Sequence, residues 1–381
     1  MKKLFVFICV HLLTILLFVS VSTAQDFQTL RDGIEYARVT RQSKSADGKD
    51  ENVVINLLRL DLTKVRLDVV HAMDSAIGLE KTSSIATRHG AFAAINAGFF
   101  RIDKSIFEGD DVGLLQINGK LLSESNGRTS LLIKNEKQET KISFDRLNLS
   151  VELCSKSQEI KSKISGINRE RKNEDLILYT PEFHSTTLTD NNGVEIIEEN
   201  GVIKQILEGQ GSSQIPGGGS VISATGNYKE KLKSLKIGDK LSTCLQLTEG
   251  SNPTDNFKII RTEDIVTGSP QLIKNGKIDI TWQEEKTSKS FVETHHPRTA
   301  VAKLKDGKFL MVTVDGRSEE SGGMSLYQLA DFLLEQGATD AMNLDGGGSS
   351  TMFLDGKVVN HPSDKEGERK IGDAILVFQR K

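Results

Sequence analysis

An α+β fold, with mixed, mainly antiparallel sheets, few helices and an active-site cleft at strand ends, is what this sequence predicts. Three observations carry that reading. Apolar or β-branched positions alternate through many short runs bounded by Gly, Asn and Asp, which is the pattern of strands and turns. Only one stretch has clear helical periodicity. Two apolar runs also end on an aspartate followed at once by glycine, at Asp315 and Asp345.

Along the chain, residues 1–24 read as a secretory signal: Lys2 and Lys3 precede an apolar run, and Ser22 and Ala24 supply small residues before a cut. This predicts an exported protein, secreted or periplasmic, with no stable membrane span once the segment is removed. The whole chain carries a formal net charge of −3. Loss of the two lysines makes it more acidic, and with no basic patch nucleic acid is excluded as a partner. Of the three cysteines, Cys9 leaves with the signal. Cys154 and Cys244 remain, set either for one disulfide between neighbouring strands or for two free thiols.

Residues 25–90 form a strand-rich region that includes "NVVINLLRLDL" and "VRLDVVHAM". Strand patterns continue through "AFAAINAGFF", "LLQINGKLL", "KISFDRLNLSVEL", "DLILYTPEF" and "GVEIIEENGVIKQIL". Residues 136–174 are a charged elaboration. The mature length exceeds the roughly 250–300 residues at which one core stops growing, so an elaborated domain or two domains are expected. The helix is Ser325 to Gln336, with Leu326, Leu329, Phe332 and Leu333 on one face, Ser325 as its cap and Gly337 as its stop.

The region after Arg298 carries the chemistry. "RTAVAKLKDGKFLMVTVDGR" reads as a strand, an Asp306-Gly307 hairpin turn and a second strand ending at Asp315; Asp355-Gly356 reads as another turn. After the helix, "DAMNL" is a third strand ending at Asp345, followed by Gly346, Gly347, Gly348, Ser349 and Ser350. If the two Asp-ended strands lie side by side, both carboxylates emerge at one sheet edge. Three glycines let a backbone approach a ligand closely, and consecutive N–H groups can form an anion-binding concavity. The stretch is neither a Walker loop nor a dinucleotide fingerprint. Asn96 leaves a strand beside Gly98 in a similar way. Arg298 and Arg317 offer planar forks for phosphate oxygens. His295 and His296 lack the spaced partners of a metal motif.

The ordered blocks "AINAGFF", "IPGGGSVISATG", "TGSPQLIKNGK", "HPRTAVA", "VTVDGR", "GMSLYQLADFLLEQGATDAMNLDGGGSSTM" and "NHPSD...GERKIGDAILV" resemble the phosphodiester glycosidase family, the group that includes the lysosomal uncovering enzyme. The resemblance runs from about Phe92 to Phe378 and makes 91–381 the corresponding domain; His184 and the Ser269-Pro270 pair depart from the usual pattern. It implies hydrolysis of a sugar-1-phosphodiester at its glycosidic bond, with an α-linked N-acetylhexosamine as the sugar and a glycan or sugar phosphate as the partner. On that footing Asp345 acts at the anomeric carbon with Asp315 as its partner. Arg298, Arg317 and the turn from Gly346 to Ser350 hold the phosphoryl group, and Asn96, Gly98 and Asn343 contact the sugar. No cofactor is required, although Asp315, Asp345 and Asn343 are also suitable oxygen ligands for Ca²⁺. A second reading keeps the scaffold without turnover, as a carbohydrate-binding or exopolysaccharide- and envelope-assembly protein.

Overall fold

The computed structural model describes residues 26–45, 48–155, 160–249 and 262–380; the expected signal segment lies outside them. It confirms the α+β class with mainly antiparallel sheets. An eight-stranded sheet runs, by neighbours, through Gln28–Arg31, Ile34–Lys44, Asp50–Leu60, Phe309–Val314, Arg298–Leu304, Ala338–Asn343, Gln271–Lys274 and Lys277–Ile278. A five-stranded sheet orders Lys357–Val358, Met352–Leu354, Ala93–Asn96, Asp373–Gln379 and Val65–His71. The N-terminal region is woven into both, because Asp50–Leu60 pairs with Phe309–Val314 and Val65–His71 pairs with Asp373–Gln379.

Alternation explains the layering. In the Asp50–Leu60 strand, Leu58 and Leu60 join the core shared with the five-stranded sheet, whereas Val53, Ile55 and Leu57 face the cluster under the Leu326–Glu335 helix. In Asp373–Gln379, Ile375 and Val377 face the shared core, and Ala374 and Leu376 face the Thr82–His89 helix through Ile85 and Ala86. The two sheets are thus packed face to face, each with a helix on its outer side. Such strands are buried on both faces, which is why they read as nearly continuous apolar runs.

The Leu326–Glu335 helix forms as its sequence predicts. Ser325 accepts from the Gln328 backbone and the Gln328 side chain accepts from the Ser325 backbone, a reciprocal cap whose loss costs about 1 kcal/mol. Gly337 ends it at φ +85°. The expected turns also hold, with Gly307 at φ +83° and Asp355-Gly356 at φ +47° and +85°.

The charged elaboration resolves, within the described residues, around a 16-residue strand, Thr140–Ser155, that pairs with both Thr129–Asn135 and Ser242–Glu249. Cys154 and Cys244 lie there as free thiols. Cys154 stands opposite Ser242 and Cys244 opposite Glu152, so the two are diagonal neighbours. Their side chains nonetheless come within hydrogen-bonding reach of each other, so the sheet brings together the pair for which a disulfide or two free thiols were expected. The neighbouring Cys244 thiol pushes Cys154 up to about 11. Among the described residues, no helix is long and apolar enough to cross a membrane.

Candidate active site

The strand ends do converge, but not as direct neighbours. The strand Arg298–Leu304 lies between those ending at Asp315 and near Asp345, pairing Arg298 with Val314 and Ala300 with Asn343. Because both outer strands are antiparallel to it, their C-terminal ends and its N-terminal end share one edge. The five-stranded sheet joins at the same point through Asn96, which stands opposite Ala374.

Asn96 is the clip between the sheets. Its Nδ2 donates to the Asp345 carbonyl at 2.7 Å, and its Oδ1 accepts from Thr299 Oγ1 at 2.8 Å and from the Thr351 N–H at 3.0 Å. The Asp345 N–H in turn donates to the Ala97 carbonyl at 2.9 Å. Asn343 is equally committed: fully buried, its Nδ2 donates to the carbonyls of Ser269 and Leu344, both at 2.7 Å. Both amide nitrogens thus serve backbone carbonyls at the sheet junction, while Asn343 Oδ1 has no partner among the described residues.

Asp345 is half-buried as a residue, and its Oδ1 accepts the Gly346 N–H at 3.0 Å. Burial lifts it to about 6, against the lowering influence of the Ser349 hydroxyl, the Gly346 N–H and the Arg369 charge. Asp315 is 3% exposed and engages other groups: its Oδ1 accepts the His361 N–H at 3.0 Å, and its carbonyl accepts the Ser321 hydroxyl at 2.6 Å. Burial raises it as well. The carboxylate set electrostatically against Asp345 is Asp373. Asp315 is therefore a brace for the segment at Asn360 and His361, not the expected partner of Asp345.

The two arginines divide. Arg298 is fully buried, its Nε donating to the Met324 carbonyl at 2.8 Å and its Nη2 to the carbonyls of Phe291 at 2.8 Å and Thr294 at 2.7 Å. Its guanidinium lies 4.9 Å from the Phe291 ring centroid, and Nη1 has no hydrogen-bond partner. Burial, helped by the like charge of Arg317, pushes it down to about 9. Among the described residues no carboxylate forms an ion pair with it. Arg317 is exposed, held at φ +61°, with Nη2 3.3 Å from His296 Nδ1. The adjacent histidines diverge, because His295 Nδ1 lies 2.8 Å from Glu51 Oε1.

The glycines now have individual reasons. A Cβ on Gly346 would sit 2.9 Å from the Pro297 carbonyl oxygen. Gly347 adopts φ +61° beneath Arg317, whose Nη2 would be 3.1 Å from an added Cβ. A Cβ on Gly348 would come within 2.2 Å of both Arg369 Nη2 and Asp364 Oδ1, which form a two-bonded fork at 2.7 and 2.9 Å. The expected anion concavity is largely consumed: the N–H groups of Gly346, Gly347, Ser349 and Ser350 donate to Asp345 Oδ1 and to the carbonyls of Pro297, Gly346 and Gly347. Ser349 and Ser350 are buried, and Ser350 Oγ accepts from Thr299 Oγ1 at 3.2 Å. Gly98 also serves a protein group, its N–H donating to Asp373 Oδ1 at 2.5 Å. Replacing Gly348 by alanine should therefore displace the Asp364–Arg369 fork. We expect a loss of about 1–3 kcal/mol by chemical denaturation, the usual cost of overpacking.

The accessible face of the site is thus Asp345, Gly346, Gly347, Arg317 and His296, with Asp364, Arg369 and His361 at its side. Asp364, Arg369, Asp373 and Asp111 were not foreseen; Asp373 follows Gly372 at the start of a strand, the mirror of the Asp-Gly signal that drew notice to strand ends. Among the described residues no three His, Cys, Asp or Glu side chains are placed to hold one metal ion.

Comparison with known proteins agrees with the sequence blocks. Residues 191–378 match the family model described as phosphodiester glycosidase. The chain is 30% identical over 177 residues to the N-acetylglucosamine-1-phosphodiester alpha-N-acetylglucosaminidase of Bos taurus, a match covering 44% of this chain and 33% of that protein. The enzyme of the same name from Homo sapiens is 36% identical over 109 residues, 26% of this chain and 21% of that one. The chain thus spans about a third or less of the length of these relatives. In fold, it is similar to a solved structure of a hypothetical protein from Synechocystis, with a TM-score of 0.77 at 21% identity over 94% of this chain and 64% of that one. A solved protein from Burkholderia pseudomallei gives 0.74 at 22% identity, over 88% and 75%.

Proposed function

We propose, from the match of residues 191–378 to the phosphodiester glycosidase family model, that this chain is an exported hydrolase cleaving the glycosidic bond of a sugar-1-phosphodiester. The sugar is an α-linked N-acetylhexosamine, following the N-acetylglucosamine in the names of its relatives. One observation carries the reading: Asp345, a half-buried residue of raised proton affinity under the charge of Arg369, is followed by Gly346 and Gly347, which pack against Arg298 and Arg317, and among the described residues no carboxylate forms an ion pair with the buried Arg298. A buried cation without a counter-ion is costly, and a phosphoryl group brought to the Arg317 side supplies the missing negative charge.

The chemistry follows from the substrate. Water oxygen joins the anomeric carbon, the bond from that carbon to the phosphate oxygen breaks, and the electron pair leaves on the phosphate. A phosphate monoester is a stable leaving anion, so the reaction needs little general-acid help and more positive charge on the leaving side. Asp345 acts at the anomeric carbon, as nucleophile or as base for water; Arg317 meets the phosphoryl oxygens. Asp315, Asn96 and Arg298 hold the frame.

The test is a panel of sugar-1-phosphodiesters, led by α-N-acetylglucosamine-1-phosphodiesters, with free reducing sugar measured. Release at kcat/KM well above that for the matching neutral glycosides is expected. Binding without release across the panel would favour the carbohydrate-binding reading instead. Since Asp345 must be ionised for either role, kcat/KM should rise with pH through about 6, the value to which burial lifts this group.

A further inference from the structure

Behind Gly98 lies a set of buried groups outside the reacting centre. Asp373 is 1% exposed and the Asp111 side chain 5% exposed. The two carboxyls are within hydrogen-bonding reach of each other, and among the described residues Asp373 Oδ2 has no other donor. They pack beside Gly98, Phe99, Gly113 and Thr267 with no room for a water molecule. Two carboxylates in contact cannot both be ionised in a buried site without a large repulsion, and neither pairs with an arginine or lysine among the described residues.

His71 closes the other end. Its Nε2 is 3.3 Å from Asp111 Oδ2 and 3.0 Å from the Gly109 carbonyl oxygen, and its Nδ1 is 3.1 Å from the Ala72 carbonyl oxygen. Both ring nitrogens face only acceptors, the pattern of an imidazolium, although burial works against that charge. The remaining charged groups set against the three are Asp110 and Asp74 on the His71 and Asp111 side, and Asp345 on the Asp373 side. At the other end of the chain of contacts, Asp373 Oδ1 accepts the Gly98 N–H and its carbonyl accepts the Ala97 N–H, while the Ala97 carbonyl accepts the Asp345 N–H.

We infer that Asp111 and Asp373 share one proton and act as positioning residues, holding the Ala97-Gly98 turn and hence Asp345 in place for as long as that proton is retained. The role for Asp345 rests on the proposed glycosidase reading; the shared proton does not. Loss of the proton leaves two like charges in contact, which pushes Asp373 away from Gly98 and loosens the turn that holds the Asp345 backbone. Burial raises both groups far above the ordinary aspartate range, Asp373 to about 7.

The experiment uses the full chain and its Asp111→Asn and Asp373→Asn variants. Either amide supplies permanently the hydrogen that the pair shares, so both variants should fold. Infrared difference spectra of the parent against each variant should show the loss of one protonated carboxyl C=O band at pH values where ordinary aspartates are ionised. On a substrate that the panel identifies, the alkaline limb of kcat/KM should move to higher pH in Asp111→Asn. A spectrum unchanged in both variants would overturn the shared proton, whether or not the panel yields a substrate. A lost band with an unmoved alkaline limb would overturn the positioning role alone.

Discussion

Asp345→Asn should reduce turnover of a sugar-1-phosphodiester by about 10³-fold, within the range expected when a positioned acid or base is removed. The substitution keeps the side-chain shape and the oxygen that accepts the Gly346 N–H, so the turn should hold and the melting temperature should change little. Removing the charge also relieves burial of a carboxylate, which works toward stability. Turnover loss without unfolding is therefore the signature of chemistry at this position. Asp315→Asn should behave in the opposite manner. Its carboxylate braces His361 from a buried site, so stability should change more and the chemical step less. If both variants kept near-normal turnover, the assignment of the carboxylate would be wrong.

The second large effect is expected at Arg317. This side chain is exposed above Gly347, with His296 as its hydrogen-bonding neighbour. A charge-assisted contact to a phosphoryl oxygen is worth about 1.5–3 kcal/mol, or roughly 10- to 100-fold in kcat/KM. Arg317→Gln should lose that amount on phosphodiesters and almost nothing on neutral glycosides, so the measurement is the ratio of the two. An equal loss on both would mean that Arg317 supports the fold of the turn and does not meet phosphate. Arg298→Gln is the contrast. Its buried guanidinium ties Phe291, Thr294 and Met324 together, and its replacement should destabilise the protein before any substrate is added.

The sequence made the strands visible because their periodicity follows from burial, which acts on every residue. It also placed the Ser325 cap and the Asp306-Gly307 turn, where local chemistry decides the conformation alone. Of the residues singled out from the sequence, Asp345 and Arg317 reach the accessible edge, whereas Asn96, Asn343 and Arg298 are buried. A polar residue at a strand end looks the same whether it faces solvent or another sheet, and only the packing of the second sheet assigns Asn96 its three backbone and hydroxyl partners. The glycines illustrate the same limit. Their need for close approach was evident, but the approaching groups are Pro297, Arg317 and the Asp364–Arg369 fork, which lie far away in sequence or beyond any local pattern. Asp373 escaped because an aspartate beside a glycine most often marks a turn, Asp111 because it sits in the short polar run Glu108 to Asp111, and nothing local signals that the two meet in the core.

The most direct measurement is the fate of isotopic oxygen when the protein hydrolyses an α-N-acetylglucosamine-1-phosphodiester in ¹⁸O-water, with the phosphate product read by ³¹P NMR. Attack at the anomeric carbon leaves the bridging oxygen on the phosphate, so a phosphate monoester free of ¹⁸O, formed together with reducing sugar, is the predicted result. Phosphate that carries ¹⁸O would show cleavage at phosphorus and contradict a glycosidase.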